Sequence, residues 1–145
     1  MGRTGQVPDG GKGMNPKQFL QIGGAVLLLL GLLGFAGLFN QKGSFFWLDN
    51  SENVAHTGLG IIAIAAAYLL KDAQAQKWLV ALVGVTALFF TVVGFAVGGD
   101  TTSGANTFGI ANLESPADDI LHLVVGVWAL VAAFRPMGMG MMAKA

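Results

Sequence analysis

Four apolar stretches of this chain contain no aspartate, glutamate, lysine or arginine: Gln18 to Gln41, Asn53 to Leu70, Trp78 to Gly99 and Ile120 to Phe134. A bilayer core about 30 Å thick is crossed by roughly 20 helical residues. The first and third stretches are long enough alone, and the second and fourth borrow a first turn from the polar residues just before them. Backbone facing lipid must satisfy its own hydrogen bonds, and no sustained strand-like alternation offers a barrel instead. The pattern predicts an all-α polytopic membrane protein with four transmembrane helices at about 18–40, 52–70, 77–98 and 116–134. A glycine-rich tail (1–17) precedes them and a methionine- and glycine-rich tail (135–145) follows.

Composition agrees with this class. Apolar residues make up 54% of the 145 and charged residues 11%, far from the roughly 25% charged of soluble domains. The net charge is zero, which gives no long-range attraction for nucleic acid. Without cysteine there is no disulfide or thiolate ligand. No small-residue cleavage site follows the first apolar run, so it is expected to be a permanent helix rather than a signal peptide. With a cytoplasmic amino terminus, every lysine and arginine except Lys42 lies on the cytoplasmic side, and Asp49, Glu52, Asp100, Glu114, Asp118 and Asp119 lie opposite. This positive-inside bias places both termini in the cytoplasm.

The chain also repeats itself. Glu52, His56, Gly60, Ala63 and Ala67 recur sixty-six residues later as Asp118, His122, Gly126, Ala129 and Ala133. Gly24 and the run Gly34-Phe35-Ala36 recur sixty residues later as Gly84 and Gly94-Phe95-Ala96. The expectation is two helical hairpins, joined by the turn KDAQAQK and related by an axis along the membrane normal. The outer loops differ. Phe45, Phe46 and Trp47 suit the headgroup layer. Ser115, Pro116 and Asp118 read as N-cap, first and third positions of the last helix.

The two histidines are the candidate site. Positions 56, 60, 63 and 67 share a helix face, so each imidazole heads a stripe of glycine and alanine, and such stripes bring helices close together in lipid. Both rings are expected inside the bundle, in the outer half of the membrane, along a seam between the second and fourth helices. One role is structural, each ring pinning a helix pair through a carbonyl, a loop asparagine or its counterpart. A second is axial ligation of haem b or chlorophyll by His56 and His122, with Gly60 and Gly126 making room for a macrocycle one turn away. Such a subunit would serve electron transfer or light harvesting. A third is a metal site of Glu52, His56, Asp118 and His122, with Asp119 as a further candidate ligand, suited to zinc or iron. The terminal RPMGMGMMAKA suggests thioether ligation of copper or simply a flexible tail.

The segments LLGLLGFAGLF, NSENVAHTGLGIIAIAA and DDILHLVVGVWALVAA resemble a family of small four-helix bacterial integral membrane proteins known as a domain of unknown function. Its mark is a glycine-rich first helix and a histidine/glycine motif in helices two and four. The resemblance spans about Gln18 to Phe134 and leaves out Asp100 to Asn112 and both tails. It points to Asn53, His56 and Gly60, and to Asp119, His122 and Gly126, and implies four helices with no established activity. No nucleophile turn or phosphate loop is present, and no charged group sits mid-membrane. The expected role is therefore a non-enzymatic accessory or scaffolding subunit, partnered by the lipid bilayer and other integral membrane subunits of a bacterial inner membrane, cytoplasmic or photosynthetic.

Overall fold

The computed structural model describes residues 13–41, 44–97, 107–108 and 112–135. The tails beyond these residues, with their glycine and methionine runs, and most of the segment after Val97 lie outside them. The described chain is all-helical: α1 (Pro16–Phe35), α2 (Asn50–Leu69), α3 (Ala73–Val97) and α4 (Ala117–Phe134). Three of these, α1, α3 and α4, are long and apolar enough to cross a membrane. In α2, Asn50, Ser51, Glu52, Asn53, His56 and Thr57 make the first half polar.

Local chemistry sets most of the boundaries. Asn15 and Gln18 form a capping box: the Gln18 N–H donates to Asn15 Oδ1 at 2.9 Å and the Asn15 N–H to Gln18 Oε1 at 3.0 Å. Pro16 follows, its missing N–H costing nothing at that position. Asp49 and Glu52 repeat the device at 2.8 Å in both directions, starting α2 two residues earlier than its apolar run suggests. The first helix ends at Phe35, not near residue 40, because Gly37 takes a left-handed φ of 86°. The N–H groups of Gly37 and Leu38 then turn back to Gly34 and Leu33 at 2.9 and 3.1 Å, closing a Schellman motif.

The turn between α2 and α3 is shorter than KDAQAQK. Asp72 caps the N–H of Gln74 at 2.9 Å, and Ala73 to Gln76 are already helical. Gln76 reaches back to the Leu70 carbonyl at 2.8 Å. At the start of α4, Ser115 provides no cap and Pro116 holds the N-cap position. No side chain caps α4; Asp118 Oδ2 instead accepts the N–H of Glu114, three residues before the helix, at 3.0 Å.

Helix α1 packs along α2 and α3 along α4, while α1 also touches α3 and α4 more sparsely. This corrects the seam expected between α2 and α4, which do not pack along each other. The small residues are used within each pair. A methyl on Gly60 would come within 2.5 Å of the Leu28 nitrogen and 2.8 Å of the Gly24 oxygen, and one on Gly126 within 2.8 Å of the Leu88 side chain. The apolar core, Phe19, Leu20, Ala67, Val80, Ala81, Ala129, Ala132 and Ala133, sits at the end where α1 and α3 begin. Most buried polar groups, among them Glu52, Asn53, Glu114, Asp118 and Asp119, gather at the opposite end.

Candidate functional site

Each histidine follows an acidic first turn, which is capped in α2 and uncapped in α4. Glu52 and Asp118 are 8% and 5% exposed, and each is held by a backbone N–H, from Asp49 and Glu114 respectively. Four residues on, one turn later, His56 and His122 project from the same face. The four side chains open into one cavity of about 290 Å³, walled below them by Phe19, Leu20, Leu27 and Trp128. The structure thus brings together Glu52, His56, Asp118 and His122, the four residues that the sequence placed in register.

The two rings differ in their bonding. His122 Nδ1 lies 2.8 Å from the Asp118 carbonyl oxygen. A carbonyl can only accept, so Nδ1 carries the hydrogen and Nε2 of the neutral ring keeps its lone pair. The ring tilts at 40° to Phe90, with centroids 5.8 Å apart. His56 Nδ1 is buried with no hydrogen-bond partner.

The other residues singled out from the sequence go elsewhere. Asn53, 2% exposed, presses its side chain against Gly34, and Asp119, 0% exposed, does the same against Gly94. Asn53 Oδ1 and both Asp119 carboxylate oxygens lack hydrogen-bond partners. Gly60 and Gly126 do not line the cavity: the space their missing side chains leave is filled by α1 and α3. Among the described residues, no group of three or more His, Cys, Asp or Glu side chains is arranged to hold a metal ion.

Several contributors were not legible in the sequence. Trp47, placed by its aromatic neighbours in the headgroup layer, is instead 7% exposed. Its loop folds back through a bond from the Leu48 N–H to the Phe39 carbonyl at 2.7 Å. The Trp47 N–H donates to Glu114 Oε2 at 3.3 Å, tying the two hairpin ends together. Burial and the neighbouring Asp118 push the Glu114 carboxyl from its ordinary 4.5 up to about 8. Phe46 turns inward onto the cavity while Phe45 stays outside. At the far end Trp128 meets Phe19 edge-on, with centroids 4.6 Å apart, and gives its Nε1–H to the Met14 sulfur at 3.1 Å. Compared with protein-family models, curated proteins and solved structures, the chain matches none.

Proposed function

We propose that this is a four-span protein of a bacterial inner membrane, built as two hairpin repeats with both termini cytoplasmic, that serves as a non-enzymatic accessory subunit of a larger membrane complex. The observation that carries this is the outer surface. Leu29, Ile62, Val92 and Val124, one on each helix, are 57–69% exposed, so apolar faces on all sides need lipid or another subunit to cover them. Helix α2, at 20 residues, is about 30 Å long and matches the hydrocarbon core despite its polar first half.

The repeat is supported by the matching packing of Gly34 on Asn53 and Gly94 on Asp119. The orientation is supported by Lys17 over Tyr68 at 5.8 Å and by Lys77 over Trp78 and Phe134 at 5.7 and 5.1 Å. These cation and ring pairs suit a cytoplasmic interface. The resemblance to the histidine/glycine family of four-helix bacterial membrane proteins belongs to the same reading.

The alternative reading is a tetrapyrrole held by His56 and His122, which line one cavity of about 290 Å³ that admits a substituted ring outright and a macrocycle only if it projects through the opening. Isolation of the tagged protein from its native membranes in mild detergent tests the accessory role. Stoichiometric recovery of other integral membrane subunits is expected, and a monodisperse protein free of partners would overturn it. An absorption spectrum of the same sample tests for haem or chlorophyll.

A further inference from the structure

We propose that the cavity is a binding site for a membrane-dissolved molecule whose head is a single uncharged ring bearing hydroxyl or carbonyl oxygens, the chemistry of a quinol and its quinone. This requires the bundle to lie in a bilayer but is independent of the accessory role.

The opening of the cavity determines where a ligand comes from. Helices α2 and α4 do not pack along each other, and α1 floors the gap between them. Leu59 and Ile62 of α2 and Leu121 of α4 line the cavity and are also 55%, 60% and 45% exposed on the outer surface. The gap therefore opens sideways, toward the hydrocarbon of a surrounding bilayer. A molecule arriving that way is lipophilic, and a charged head would have to cross apolar medium at a cost of many kcal/mol. The volume, about 290 Å³, accommodates one substituted ring with the start of a tail, and the tail can leave through the opening.

The polar end selects the head. Glu52 and Asp118 each spend one carboxyl oxygen on a backbone N–H before their helices, and the imidazoles beside them add further bonding groups. His122 offers an acceptor at Nε2, because its Nδ1–H is given to the Asp118 carbonyl at 2.8 Å. His56 lines the cavity from the facing helix and supplies a second imidazole. A ring hydroxyl donates to His122 and a ring oxygen accepts from His56. Phe19, Phe46 and Trp128 supply aromatic walls against which such a ring packs.

Trp128 provides the readout, since neither Trp47 nor Trp78 lines the cavity. A full-length Trp47→Phe/Trp78→Phe protein in detergent micelles is titrated with a short-tailed benzoquinone, and the fluorescence of Trp128 is followed. Saturable quenching is expected, about tenfold weaker in His122→Leu and in His56→Leu, as the loss of one hydrogen bond implies. Gly23 guards against variants that merely misfold. It lines the cavity, and an added Cβ would meet only the Phe19 ring at an ordinary 3.8 Å. Gly23→Leu is therefore expected to keep the thermal midpoint and abolish saturation. Quenching that stays linear with quinone, or that is equal in all these variants, reports partition into the micelle and would overturn the proposal. A haem or chlorophyll band in the natively isolated protein would overturn it too.

Discussion

The two helical hairpins share a spacing but not a chemistry. In the first, Gly34 accommodates the amide of Asn53; in the second, Gly94 accommodates the carboxylate of Asp119. In the first, Gly60 meets the backbone of α1, at Leu28 and Gly24; in the second, Gly126 meets chiefly the flexible end of Leu88. His56 keeps a buried unpartnered nitrogen, whereas His122 is fixed by the Asp118 carbonyl. Glycine spacing fixes how closely two helices approach. The residue facing each glycine decides whether that approach is rigid, charged or open to a ligand.

The sharpest test of this difference is pH. Glu114 opens the second hairpin's last helix, and the first has Leu48 at the corresponding place. Because folding raises the Glu114 carboxyl to about 8, the folded state holds its proton more tightly than the unfolded one. That stabilisation is complete below about 4.5, declines as pH rises toward 8 and is gone above it. Thermal midpoints in detergent should fall across that window, and Glu114→Gln should flatten the profile. An unchanged slope in that variant would assign the effect to another group.

Packing comes next in size. Gly60→Ala forces a methyl onto backbone and is expected to cost about 3 kcal/mol, whereas Gly126→Ala displaces a side-chain tip and should cost about 1 kcal/mol. Unfolding in mixed micelles with a denaturing detergent ranks them, and equal losses would mean that the hairpins are equally rigid. Exchanging the polar plugs is a smaller perturbation. Asp119→Asn relieves an unpartnered buried carboxylate and should stabilise by about 1–2 kcal/mol, while Asn53→Asp should destabilise by a similar amount. The same assay reads both, and a loss of stability in Asp119→Asn would show that the acid has a partner in the membrane. The smallest contrast lies at the histidines. His122→Leu loses one hydrogen bond, about 1 kcal/mol, and His56→Leu loses none, so only the former should lower the midpoint.

Much of the fold was legible because its determinants are local. Uncharged apolar runs marked the helices, although the capping boxes of Asn15 and Asp49 start two of them two residues before the expected 18 and 52. The i to i+4 spacing placed each acid and imidazole on one face. The misjudged boundaries have local causes of a finer kind. Gly37 ends α1 early through its backbone angle, and Asp72 caps α3 ahead of its apolar run. Pro116, rather than Ser115, stands before α4.

The sequence by itself determined an all-helical chain, apolar spans suited to a bilayer, and two histidines at equal places in two similar helices. Those properties follow from composition and periodicity, which act within a few residues. Only the tertiary structure decided that the small-residue stripes are used inside each hairpin, that α2 and α4 stand apart over a cavity, and that the Trp47 backbone and Glu114 join the two hairpin ends. A stripe of glycine and alanine permits close approach to any helix. Which helix takes it depends on shape and partner across the whole bundle, and periodicity along one chain segment does not carry that information.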